Sequence, residues 1–281
     1  MYPISAVIIT YNEEDNIARC LESLRRVADE IIVLDAFSTD RTVEIARSKG
    51  AIVKQRYFSG YIQQKNSAIS LASNDYVLSL DADEALDETL ANSILDEKAN
   101  FPANAYSMNR CTNYCGKYIR NGTWYPDKKI RLFNKRVACW GGIDPHDKIE
   151  LKGDNTRVQH LKGDILHYSF PSLEEHLEKN NKYSSISARA LHAKGKKSNW
   201  FKILVNPFWA FFHGFIIRQG FLDGYHGFVI AVNSAHGTFL KYIKLYELQQ
   251  GQKQTVYSGR KMPIIINSQK DKMSRQANIK A

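Results

Sequence analysis

The chain lacks the usual materials for a disulfide scaffold, a nucleotide cradle or a secretion signal. Cys20, Cys111, Cys115 and Cys139 are its only cysteines, and Cys111-x-x-x-Cys115 has no matching second pair. That spacing argues for free thiols rather than a zinc site or a disulfide framework. Neither G-x-G-x-x-G nor G-x-x-x-x-G-K-[ST] occurs, which argues against a dinucleotide site or a P-loop. No basic segment precedes the first apolar run, which stops at Tyr11-Asn12-Glu13, so a secretory signal is not expected. No internal repeat is evident. These absences point to the cytoplasm.

What is present is charge, unevenly placed. The 281 residues carry a net +10. Residues 1–100 hold −7, residues 101–250 hold +11 and residues 251–281 hold +6. The acidic part suits a metal-bridged nucleotide. The basic part suits an anionic acceptor or an anionic membrane surface. Nucleic acid is not expected, because no helix-turn-helix, zinc finger or RNP-like motif accompanies the basic residues.

The first hundred residues alternate in character. Ser5–Thr10, Glu30–Asp35, Ala51–Gln55 and Tyr76–Leu80 are short, nearly continuous apolar runs. Helical spacing falls between them, over Asp15–Arg26, Asp40–Lys49 and Tyr61–Ala72. Asp15 and Asp40 are placed to cap the first two helices. Buried strands alternating with helices predict an α/β fold, a mostly parallel Rossmann-like sheet with helices on both faces. Ligands bind such sheets beyond the carboxyl ends of the strands. There the chain places Thr10-Tyr11-Asn12-Glu13, Asp35 and Asp81-Ala82-Asp83-Glu84. Asp81 and Asp83, two apart, share one side of an extended backbone. Their hard oxygens suit Mg²⁺ or Mn²⁺, which keep coordination positions for phosphate oxygens. An acidic turn after a buried strand is the alternative.

Four ordered segments, ITYNEEDNI, VLDAFSTDRT, GYIQQKNSA and LSLDADE, resemble family 2 glycosyltransferases of the GT-A fold. The nearest resemblance is to the bacterial branch containing lipopolysaccharide core β-1,4-glucosyltransferases, over about Tyr2 to Glu247. Ala36-Phe37 departs from the small or hydroxylated residues of many relatives. The resemblance implies an inverting transfer of a hexose, glucose favoured, from a UDP-sugar to a glycolipid or glycan hydroxyl. It implies that Thr10, Tyr11, Asn12, Glu13, Asp35, Lys65, Asn66, Asp81, Ala82 and Arg131 surround the donor. A salt bridge is an equal reading of Arg131, and a solvated helix face of Lys65. Asp83 is the best direct metal ligand, with Asp81 reaching ribose or metal through water. His167, after the strand-like Ile165-Leu166, either completes the metal shell or is a core histidine. In WGGIDPHDK, read as a Gly/Pro-constrained loop, Asp147 takes the position of the family's acidic general base, and His146 beside it is the other candidate. A nucleotidyltransferase and a non-catalytic envelope-assembly scaffold are the competing readings.

Beyond residue 100 the pattern predicts short strands in longer loops at Ala105–Arg110, Lys129–Phe133 and Ile149–Leu151, with Trp124 offered as a sugar-stacking platform or a core anchor. A helix is expected over Ser172–His192. Trp200–Phe221 is dense in aromatics and approaches the roughly 20 residues of a membrane span. Lys202, Asn206, Pro207 and His213 interrupt it, so an interfacial element is expected, with Pro207 and Gly214 bending or breaking the helix. A second apolar helix is expected over about Gly227–Tyr246. The expected organisation is a donor half at residues 1–100, an acceptor half at 101–195, a helical extension at 196–248 and a basic, disordered tail at 249–281. The protein is thus expected on the cytoplasmic face of the inner membrane, held peripherally. Oligomeric state is not legible.

Overall fold

Apolar strands and helices alternate as expected in the computed structural model, which describes residues 2–143, 146–153 and 156–250, without the side chains of Ile143 and His146. The basic tail from residue 251 on lies outside the described residues. In chain order the first elements are β1 (Ile4–Thr10), α1 (Ile17–Leu24), β2 (Glu30–Asp35), α2 (Thr42–Ser48), β3 (Ile52–Gln55), α3 (Tyr61–Leu71) and β4 (Tyr76–Asp81). The pairings β3-β2-β1-β4 are parallel. Alternation along β1 divides the core between two faces. Ile4, Ala6 and Ile8 pack with Ile17, Cys20, Leu21 and Leu24 of α1, while Val7 packs with Ala68 and Ile69 of α3. Each large apolar side chain so buried contributes about 1.5–3 kcal/mol.

The chain continues through β5 (Glu84–Leu86), α4 (Glu88–Lys98), β6 (Ala105–Tyr114), β7 (Lys117–Tyr118), β8 (Asp127–Asn134), β9 (Ala138–Ile143), β10 (His146–Leu151) and β11 (Val158–Phe170). The large sheet runs β3-β2-β1-β4-β8-β6-β11-β5, with β7 on β6. The β4–β8, β8–β6 and β11–β5 pairs are antiparallel, so the sheet is mixed rather than mostly parallel. The strands after residue 100 are also longer than expected, with 10 residues in β6 and 13 in β11. Their polar residues hid them, since antiparallel strands need only one apolar face. Residues 138–151, expected as a loop around one short strand, form a β9–β10 hairpin. Asp87 caps α4 by accepting from Leu90 N at 2.7 Å. Gly163, at φ +97°, passes so near this helix start that a Cβ would lie 2.3 Å from Leu90 N. Only glycine fits there. Asp40 accepts from Thr42 N at 3.0 Å, serving the start of α2 as expected, whereas α1 begins behind Asn16 rather than Asp15.

The chain packs as two compact units. Among the described residues the first extends to Arg110 and resumes over Asp127–Tyr168; the second holds Cys111–Pro126 and residues 169–250. The second unit contains α5 (Leu173–Ala193), α6 (Trp200–Phe212) and α7 (Gly224–Gln250). Trp124 is no open platform here. It stacks on Phe170 at 5.0 Å and meets Tyr114 edge-on, as a core anchor does. His176 accepts or donates through Nδ1 to Tyr114 Oη at 3.0 Å, and burial, then Lys179, pushes its pKa down to about 4. Asp223 is buried and accepts from the backbone N–H groups of Arg120 and Asn121 at 3.1 and 2.8 Å. α6 runs through Pro207 without a break, then widens into a π turn over His213–Ile217. Its continuity is consistent with aromatic packing between the two segments and α7, where Phe211 and Phe215 meet Phe228 at 6.0 and 5.7 Å.

Candidate active site

Parallel register brings the polar strand tips to one edge of the first unit. Thr10 lies beside Asp35, and Ile9 beside Asp81. The hydroxyl of Thr10 is buried there without a hydrogen-bond partner. Asn12, in the left-handed region at φ 54°, donates its N–H to Ser38 Oγ at 2.9 Å, and its Oδ1 accepts from Thr39 N at 2.8 Å. Glu13 N donates to Thr42 Oγ1 at 2.8 Å. Asp35 is fully buried; its carboxylate accepts from Ser38 N at 3.0 Å, from the Ser38 hydroxyl, and from Gln55 Nε2 at 2.9 Å. Asp35 thus braces the loop that follows β2. Tyr11 is half-buried and Ala82 buried at the same edge.

The densest charge lies at the end of β4. Lys65, only 5% exposed, donates to Asp81 Oδ1 at 2.9 Å and to Asp147 Oδ2 at 2.8 Å. Its ammonium sits 4.2 Å from the centre of the Trp140 ring, and the indole N–H is anchored on Ser79 Oγ at 3.2 Å. Arg131 Nη2 reaches Asp81 Oδ2 at 2.9 Å and Glu84 Oε1 at 2.6 Å. Glu84 is fully buried and also accepts from Asp81 N at 3.0 Å. A buried charge is tolerated only when paired and hydrogen-bonded, and each of these four is. Burial alone would raise the Asp81 carboxyl; Lys65 and Arg131 override it and hold its pKa well below the usual carboxylate range. Burial opposes the Arg131 charge, and Glu84 and Asp81 more than restore it. Lys65 and Arg131 therefore occupy both Asp81 oxygens.

Asp83 has a different partner. Its Oδ2 lies 3.3 Å from His167 Nε2. Octahedral Mg²⁺ with bonds of about 2.1 Å sets adjacent ligands about 3 Å apart. The Asp83–His167 spacing matches that, and an oxygen–nitrogen pair suits Mn²⁺ equally. Among the described residues no group of three or more His, Cys, Asp or Glu side chains is poised around one ion. These two can hold a divalent ion whose other ligands come from elsewhere.

Asp147 stands on β10 opposite Gly142, facing Lys65. The side chain of His146 lies outside the described residues. Asn66 holds the hairpin: its Nδ2 donates to Trp140 O at 2.8 Å and its Oδ1 accepts from Trp140 N at 3.0 Å. Both ends of its amide serve the backbone. Lys65, Asp81, Arg131, Trp140 and Asp147 line one cavity of about 510 Å³. Glu84, Trp140 and the Lys65–Asp147 bridge were not read from the sequence. Buried polar positions 64 and 65 on an otherwise apolar helix face were the available signal.

Residues 5–148 match glycosyl transferase family 2. The chain belongs to that family. This family 2 glycosyltransferase is 37% identical over 257 residues to a glycosyltransferase of Rickettsia typhi, with 88% of each chain covered. It is 29% identical to the lipopolysaccharide core biosynthesis glycosyltransferase LpsC of Rhizobium meliloti, over 87% of this chain and 92% of that one. The structure of residues 1–349 of TarS from S. aureus is similar at a TM-score of 0.42 and 19% identity, covering 89% of this chain and 92% of that one.

Proposed function

We propose that this glycosyltransferase moves a hexose, glucose favoured, from a UDP-sugar to a hydroxyl of a lipopolysaccharide core or related glycolipid, inverting the anomeric carbon. The observation that carries the reading is the cavity in which Asp147 and Asp81 face each other across Lys65. One carboxylate belongs to the edge proposed for the donor and the other to the antiparallel hairpin, which we assign to the acceptor side. Asp35, Asn12 and Glu13 line the edge proposed for the uracil and ribose, with Thr10, Tyr11 and Ala82 beside them. Asp83 and His167 would hold Mg²⁺ or Mn²⁺, which supplies Lewis-acid stabilisation of the leaving diphosphate when bound. Lys65 and Arg131 place fixed positive charge beside that edge, where preorganised charge is worth most. Asp147 accepts the proton of the acceptor hydroxyl. Asn66 fixes the hairpin that carries Asp147.

A panel of UDP-sugars with Mn²⁺, followed by UDP release and thermal shift, tests the reading. UDP-glucose should stabilise the protein and be turned over slowly to UDP without acceptor. If no UDP-sugar in the panel binds or releases UDP, the donor assignment fails.

The second unit supports a seat on an anionic membrane. On α6 the stripe Trp200, Phe201, Leu204, Val205, Phe208, Trp209 and Phe212 is exposed, and on α7 so are Tyr225, Phe228 and Val232. Phe201 and Phe208 are each 69% open to solvent, far more than a soluble core helix leaves. Trp200–Ile217 is long and apolar enough to cross a membrane, with mean hydropathy 1.3. Against crossing stands its packing along α7 and the bordering Lys202 and Arg218. Over residues 194–246 the chain carries seven basic residues and one acidic residue, the buried Asp223. Each basic residue close to an anionic surface contributes about 1 kcal/mol. The protein should sediment with vesicles containing phosphatidylglycerol and much less with pure phosphatidylcholine, and high salt or carbonate should release it in part. Release by detergent alone would mean that the segment spans the bilayer.

A further inference from the structure

Lys65 and Arg131 do not exhaust the positive charge in the cavity of the first unit. Arg110, Lys128, Lys129 and Lys148 also line it. Among the described lining residues the carboxylates are Asp81 and Asp147, and both already meet Lys65. The four additional cations come from β6, β8 and β10, the antiparallel part of the structure. Asp127 holds Arg110 through Nε and Nη2 at 3.0 and 2.8 Å, and its other oxygen meets Lys129 at 3.0 Å. One carboxylate thus serves two cations and orients them without neutralising both. Glu84 lies 3.5 Å from Arg110 but is shared with Arg131, and Glu150 lies 3.8 Å from Lys148. Lys128 and Lys148 are exposed at the cavity, and Lys148 adjoins Asp147 in the chain.

A neutral sugar gains little from such a wall, whereas an oxyanion gains from each cation. We propose that the acceptor carries a phosphate or carboxylate group near the hydroxyl that is glycosylated, and that Arg110, Lys128, Lys129 and Lys148 receive it. This rests on Asp147 marking the acceptor side. The positive wall selects a charged acceptor and turns its hydroxyl toward Asp147.

The test is calorimetry on the full chain saturated with UDP and Mn²⁺, titrated with glucose 6-phosphate, glucuronate or glucose. At least one charged sugar should bind ten-fold or more tightly than glucose, and the two charged probes separate phosphate from carboxylate recognition. The preference should fall several-fold in Lys128→Gln/Lys129→Gln and in Lys148→Gln, all at surface positions that tolerate exchange. Equal affinity for charged and neutral sugars overturns the proposal. So does a preference that survives undiminished in both folded variants. Absence of UDP binding would overturn the donor reading instead; the same comparison on the free protein then decides the anion site.

Discussion

Asp83→Ala should lower turnover about 100-fold or more while leaving the protein folded. Lewis-acid stabilisation of a leaving diphosphate is worth several kcal/mol, and each 1.4 kcal/mol is about tenfold in rate. The fold should survive because the Asp83 side chain is 25% exposed and, among the described residues, pairs with His167 at the sheet edge. The backbone bond from Tyr168 N to Asp83 O, at 2.9 Å, does not need the carboxylate. Chelation with EDTA should abolish transfer in the unmodified protein, and Mn²⁺ should restore it. Normal turnover by a folded Asp83→Ala protein would remove Asp83 from the metal site.

Asp147→Asn should nearly eliminate transfer while UDP-sugar still binds. General-base help contributes about 10²–10⁴-fold, and an amide cannot take the proton at neutral pH. The substitution keeps the shape of the side chain and can still accept a hydrogen bond from Lys65, which retains its bond to Asp81. The hairpin should hold, since Asn66 grips Trp140 through backbone groups. His146→Gln is the paired measurement, because a carboxylate can also act by orienting a neighbouring imidazole. Loss of transfer in His146→Gln alone, with Asp147→Asn active and donor-competent, would move the base to His146.

The first hundred residues were legible in the sequence because their logic is local. Continuous apolar strands marked β1, β2 and β4, and the polar residues ending them fall at one edge by the parallel register. Asp81 and Asp83 were visible as a pair with separate parts expected of them, but not the side chains that each one meets. Lys65 and Arg131 arrive from other elements to pair with Asp81, and His167 lies beside Asp83. The Lys65–Asp147 bridge joins residues 82 apart, and Asn66 reaches Trp140 across 74, distances over which no sequence period operates. The hairpin was hidden by Gly141, Gly142 and Pro145, which read as a loop. Pro207 misled in the same manner. A proline removes one backbone hydrogen bond, and aromatic packing against a neighbouring helix, which a sequence does not display, is available to offset it.

The β9–β10 pairing has one further effect. Side chains alternate along a strand, so the pairing register decides which β10 side chain meets Lys65. Asp147 opposes Gly142 and Lys148 opposes Gly141. A slip of one residue would bring His146 or Lys148 in place of Asp147 at the point facing Lys65. Neither offers the carboxylate that pairs with the Lys65 ammonium. Insertions and deletions that shift this register, by an odd or an even number of residues, thus carry Asp147 away from Lys65.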